Sequence, residues 1–170
     1  MADAGYTSQH PLSIAFYYTS GDPIGQDVAT ILKSELSKIN VSLTLTPVES
    51  STFDFQSLQG IYPMFYDGWV NLLANPDDGM RPLFDNQTIG GGNTVFYNNS
   101  TVSSELITAG STFNSTLSGQ LYTQVQKTLA DQAVEVPLFN LENVIPTTNN
   151  IKDLYIYPTF DIFIAQAQMT

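Results

Sequence analysis

The 170-residue chain has no cysteine and a single histidine, His10. Disulfide frameworks, thiolate nucleophiles and Cys/His zinc sites are excluded together. A hard-cation site built from Asp oxygens stays open. Basic residues are nearly as scarce: 5 Lys and Arg stand against 16 Asp and Glu, a formal net charge of −11. Nucleic-acid binding draws on Lys and Arg to displace counterions from phosphates, so no nucleic-acid partner is expected, and an anionic membrane surface would repel the chain. No apolar run approaches the ~18 residues needed to span a bilayer. The opening residues, Met1 to Tyr6, lack the basic and apolar stretches of a signal peptide. Either the chain is cytosolic or its targeting segment has been removed.

What is present is a chain able to fold. Hydrophobic residues make up 42%, which argues against disorder, and the length suits one domain with a real core. The polar fraction is carried by Asn, Ser, Thr and Gln more than by charge. Asn-X-Ser/Thr acceptor sites begin at Asn40, Asn86, Asn98, Asn99 and Asn114. They follow from composition alone or mark a secreted, glycosylated surface.

Leu12, Ile14 and Phe16 alternate with Ser13, Ala15 and Tyr17, the pattern of a strand. Ser20-Gly21-Asp22-Pro23 then supplies a turn, a capping Asp and a proline at the first helical position. Ile24, Val28, Ile31, Leu32, Leu36 and Ile39 define one helical face, which Asn40 ends. Val41, Leu43 and Leu45 alternate as a second strand. This strand–helix–strand unit has about the length of a right-handed parallel crossover. A short helix with Phe53, Phe55 and Leu58 on its apolar side is expected next, closed by Gly60, then a third strand from Tyr62 to Val70. Pro63 is unsuited to donating within that strand. Residues 71–99 read as a long irregular segment, with a turn at Asn75-Pro76-Asp77-Asp78 and a flexible tip at Gly90-Gly91-Gly92. That glycine run lacks the Lys-Ser/Thr sequel of a phosphate loop. Helical patterning returns over 101–109 and 116–133, followed by strands at 134–141 and 151–157. Alternating strands and helices argue for an α/β architecture.

Several of these segments, in order, resemble the family 5 (oligopeptide/dipeptide-type) extracellular solute-binding proteins of ABC importers. They are Ala4-Gly5-Tyr6 before the first strand, Ser20-Gly21-Asp22-Pro23, Val41 to Glu49, Gly60-Ile61-Tyr62 leading to Gly68-Trp69, Asn75-Pro76-Asp77-Asp78 and Pro82-Leu83-Phe84. Tyr97-Asn98-Asn99, Leu121-Tyr122 with Gln126, Val136-Pro137-Leu138, and Ile151-Lys152-Asp153-Leu154 with Pro158 complete the set. No single piece is specific; the ordering is. The resemblance implies a periplasmic-binding-protein-like (type II) lobe, a mixed, mostly parallel sheet flanked by helices. Family members are longer and have two lobes, so residues 1–170 are expected to be a single domain, the C-terminal lobe of a larger protein, with Met1 foreign to it. The implied partners are a small solute, the N-terminal lobe of the same protein and a membrane ABC permease. The implied location is extracellular, anchored to the membrane through the missing N-terminal part. No cofactor is implied.

In the family, ligand lies between the lobes, and by position Trp69 would line that cleft, where a rigid ring can stack on a peptide side chain or a sugar face. Peptide-binding members carry an Asp three residues after this Trp, which pairs with the peptide's α-amine; a buried ammonium needs such a partner. Here that residue is Leu72. Asn71 can offer hydrogen bonds but no charge. Trp69, Asn71 and Leu72 are therefore the candidate ligand-binding residues, with neutral oligosaccharides as plausible as peptides and Asp67 or Asp77 as substitute carboxylates. Two other readings compete. A hydrolase would have to use His10 or scattered acids such as Asp77, with no constellation to support it. A free-standing extracellular surface or adhesion module suits the acidic, Asn/Ser/Thr-rich composition.

Overall fold

The computed structural model describes residues 2–73, 75–142, 144–157 and 162–169; Met1 and Pro158, both invoked above, lie outside them. The chain forms two compact units, residues 1–69 with 83–99, and residues 70–82 with 100–170. The architecture is mixed α/β.

In the first unit, β1 (Leu12–Thr19) and β2 (Val41–Val48) pair in parallel from Leu12 opposite Val41 to Thr19 opposite Val48. They are joined by α1 (Pro23–Ser37). Helix α1 starts where the sequence says it should. Asp22 accepts from Ile24 N–H at 3.0 Å, and Pro23 occupies the first turn. Asn40 sits at φ 62°, and its carbonyl accepts from Leu12 N–H at 2.9 Å, turning the chain into β2. One sheet face and α1 bury Phe16, Tyr18, Ala29, Val41 and Leu43, with Val28, Leu32 and Leu36 packed against them. Ile31 and Ile39 are exposed instead of buried. The small residues Gly25 and Ala29 lie on the buried side of the helix, so the contact face is rotated from the one that Ile31 would join.

On the other sheet face Tyr17 stacks on Tyr62 with centroids 4.3 Å apart, and Tyr62 stacks on Phe53 at 5.1 Å. Phe53 belongs to α2 (Ser50–Ser57) and is its one buried large apolar side chain; Phe55 and Leu58 are exposed. The expected third strand is reduced to a single parallel bridge. Phe65 pairs with Tyr17, whose N–H donates to Met64 O at 3.0 Å and whose carbonyl accepts from Tyr66 N–H at 2.9 Å. Pro63, two residues before the bridge, has no N–H with which to extend it.

Residues 75–84 are not the expected turn. Asn75 Oδ1 accepts from Asp78 N–H at 2.9 Å and begins α3 (Pro76–Phe84). An Asn cap followed by proline is a helix-start signal as well as a turn signal. The Gly90–Gly92 stretch is likewise no loose tip. Asn93 is wholly buried; its Nδ2 donates to Asp85 O (3.1 Å) and Tyr97 O (2.8 Å), and its Oδ1 accepts from Tyr97 N–H (3.0 Å).

In the second unit, α4 (Ser100–Ser111) and α5 (Ser115–Asp131) pack together through Val102, Leu106 and Ala109 against Tyr122, Val125 and Leu129. Asn114 caps α5 by accepting from Leu117 N–H at 3.1 Å. Residues 134–141 form no strand. The expected final strand is split into β3 (Ile151–Lys152) and β4 (Tyr155–Ile156). These pair antiparallel with β6 (Gln168–Met169) and β5 (Ile162–Phe163) respectively. Among the described residues no helix is long and apolar enough to cross a membrane.

Candidate functional site

The chain leaves the sheet at Phe65–Tyr66 and runs out to Trp69, the last residue of the first unit's opening stretch. Trp69 is 47% exposed. A Cβ added at Gly68 would meet nothing within 4 Å, so the backbone beside the indole is open. Two residues before Trp69, Asp67 Oδ1 accepts from Gly68 N–H at 2.8 Å. Asp67 reaches solvent, yet the surrounding protein strips enough water to push its carboxyl above the usual range. The Gly68 N–H opposes that shift, and the charge of Asp54 adds to it.

In the second unit, Asn71 and Leu72 belong to a loop tied to the start of α3. Asn71 Nδ2 donates to Asn75 O at 2.7 Å, and Leu73 N–H donates to Asp78 Oδ2 at 3.0 Å. Asn71 Oδ1 is buried with no hydrogen-bond partner among the described residues. Its side chain is therefore turned into the loop. Leu72 and Leu73 face outward, 66% and 70% exposed, and Val70 is 44% exposed. Four of the five residues from Trp69 to Leu73 are thus large, apolar and exposed.

Asp77, the other candidate carboxylate, is already engaged. Its Oδ1 accepts from Tyr122 OH at 3.1 Å, and its Oδ2 lies 3.6 Å from Arg81 Nη1. Burial, reinforced by the Asp77 charge, pushes the Tyr122 hydroxyl up to about 12. The contact is tight: a Cβ at Gly110 would come within 2.5 Å of Asp77 Oδ1. Asp77 thus pins α3 to the α4–α5 pair. A broad depression of about 390 Å³ beside it is lined by Leu73, Asn75, Asp78 and Tyr122, and does not include Trp69, Asn71 or Leu72. Among the described residues no three His, Cys, Asp or Glu side chains are grouped to hold a metal ion. His10 sits in a turn, its backbone N–H bonded to Thr7.

Sequence reasoning missed what holds this region in place. The tie from Asn71 to Asn75 and the bond from Tyr122 to Asp77 depend on the helix start at Asn75-Pro76, a sequence that suits a turn equally well. The signal for it, Asn75-Pro76 followed by two acids, was in the sequence.

Residues 1–91 match the family model for bacterial extracellular solute-binding proteins, family 5 (middle region). Over 152 residues the chain is 28% identical to the probable D,D-dipeptide-binding periplasmic protein DdpA of Escherichia coli (strain K12), covering 89% of this chain and 30% of that protein. Among solved structures, DppA from Helicobacter pylori in complex with the peptide STSA aligns with a TM-score of 0.71 at 25% identity, covering 81% of this chain and 27% of that one. HbpA2 from Haemophilus parasuis aligns with a TM-score of 0.83 at 18% identity, over 99% and 34% of the two chains. The chain spans about 30% of the length of the curated relatives it matches.

Proposed function

We infer that this chain, which belongs to the family 5 bacterial extracellular solute-binding proteins, is the C-terminal lobe portion of a longer two-lobed protein that captures a small solute for an ABC importer. The solute is a short peptide or an oligosaccharide, held between this lobe and an N-terminal lobe. Binding favours the closed form, which the membrane permease reads, as expected when a ligand interacts differently with two hinge states. An anchor in the N-terminal part keeps the protein at the outer face of the membrane. Relatives named for dipeptides and solved with a bound peptide support the peptide class.

The observation that carries the reading is the exposed apolar run at Trp69, Val70, Leu72 and Leu73. Trp69 offers a ring to stack on the solute, and Leu72 offers apolar surface where a charge would pair with an amine. Asn71 shapes the loop that presents Leu72. The solute therefore meets this segment through stacking and apolar contact, and any cationic group it carries is answered by Asp67, not at position 72.

Replacing Leu72 by Asp in the full-length protein tests this. An unpaired carboxylate buried against a neutral portion of the ligand costs several kcal/mol. Calorimetry should show the native solute bound at least about tenfold more weakly, each tenfold being about 1.4 kcal/mol. Unchanged affinity would show that position 72 does not meet the solute, and tighter binding of peptides with a free α-amine would show that an ammonium does reach it.

A further inference from the structure

The acceptor motif for N-linked sugar occurs five times, and the structure treats the five asparagines differently. Asn40 is half-buried at φ 62°, and its Nδ2 donates to Tyr6 O at 3.3 Å. Asn86 is half-buried, with Nδ2 donating to Asn98 Oδ1 at 3.3 Å. The hydroxyl of its motif is also committed, since Thr88 Oγ1 donates to Asp85 O at 2.6 Å. Asn99 is half-buried, with Nδ2 donating to Tyr97 OH at 3.0 Å. Asn98 and Asn114 stand apart. Both are exposed, and the hydrogen bonds each side chain makes are received by Oδ1: from Asn86 Nδ2 at Asn98, and from Leu117 N–H at Asn114. The hydroxyl residues that complete their motifs, Ser100 and Thr116, are exposed too.

We propose that Asn98 and Asn114 carry N-linked glycans and that Asn40, Asn86 and Asn99 do not. The donor is a lipid-linked oligosaccharide, and the partner is a membrane oligosaccharyltransferase at the outer face. The Asn Nδ2 forms a bond to the anomeric carbon of the sugar as the bond from that carbon to the lipid phosphate oxygen breaks. The bonding pair leaves with the phosphate, and one amide proton passes to a base. No oxidant or reductant is needed. Each modified asparagine keeps Oδ1, so Asn114 still caps α5 with its sugar in place. A glycan at a half-buried position would have to displace packed protein, so transfer to the folded chain selects the exposed asparagines. Asn114 also directly follows Phe113, whose side chain is fully exposed; a sugar face there can cover the ring.

Glycopeptide mass spectrometry on the protein purified from the cells that make it tests the proposal. Sugar is expected on the peptides at Asn98 and Asn114 and on neither of the other two regions. Ser100→Ala removes the Asn98 motif while leaving an intact motif at Asn99, and should abolish the first glycan. Thr116→Ala should abolish the second without touching the Asn114 cap. Bare asparagine at either site, sugar on Asn40 or Asn86, or sugar persisting in the Ser100→Ala protein would overturn the assignment.

Discussion

Asn93 does the work of several backbone partners at once. It satisfies two carbonyls and one N–H in a place with no access to water. Truncating it removes three hydrogen bonds, each worth about 0.5–1.5 kcal/mol net. Asn93→Ala should therefore lower the unfolding free energy by roughly 2–3 kcal/mol or more, read as a drop in the urea midpoint at unchanged slope. A change within experimental error would mean that the 85–97 loop is not organised around this amide. The sequence shows Asn93 only as one more polar residue after three glycines, which is why the stretch reads as a flexible tip. The deciding fact is burial, and burial comes from the rest of the fold. Asp77 teaches the same lesson. Its hydrogen bond spans 45 residues to Tyr122, and no local pattern announces it. Trp69 and Leu72 are exposed, in a stretch where the sequence pattern at Trp69 predicts a strand and not an open loop.

At the scale of elements, the Asp22-Pro23 helix start and the parallel β1–β2 unit were readable, whereas the start of α3 and the later strands were not. Asp22-Pro23 begins α1 as its residue types require. Helix α2 is capped less conventionally: Glu49 accepts from Ser51 Oγ (2.6 Å), Ser51 N–H (3.1 Å) and Thr52 N–H (3.1 Å). Those bonds, the Ser51 hydroxyl foremost, lower the Glu49 carboxyl from the ordinary 4.5 to about 2. A carboxyl lowered in the folded state stabilises the fold above its unfolded value, and that contribution fades as pH falls from about 4.5 to about 2. Glu49→Gln should thus melt below the wild type at pH 7, and the two melting temperatures should converge by about pH 2. A constant offset across that window would assign the loss to packing and not to the charge. The strands at 62–70 and 134–141 failed as sequence readings for a different reason. Alternating apolar residues show that a segment can pair but not that a partner lies beside it. Tyr62 to Val70 finds one bridge to β1 before the chain turns outward.

For the whole molecule, scarcity of charge leaves the fold resting on burial. The Lys38–Glu35 pair is exposed, and its contribution is of the small size usual for surface pairs. The acidic balance, −11, keeps the surface from anionic partners while leaving neutral solutes unhindered. The α/β class and the order of landmarks along the chain were legible because they rest on composition, periodicity and turn residues. The division into two units was not, since contacts between distant residues decide it. The central claim is that Trp69 presents its ring to a captured solute. Isothermal titration of the full-length protein with short peptides and with oligosaccharides, repeated with Trp69→Ala, tests it most directly. The account predicts that one of the two classes binds, and that removing the half-exposed ring weakens it about tenfold or more, as for an aromatic anchor at an interface, with the melting temperature little changed. Binding of neither class, or equal affinity with and without the indole, would contradict it.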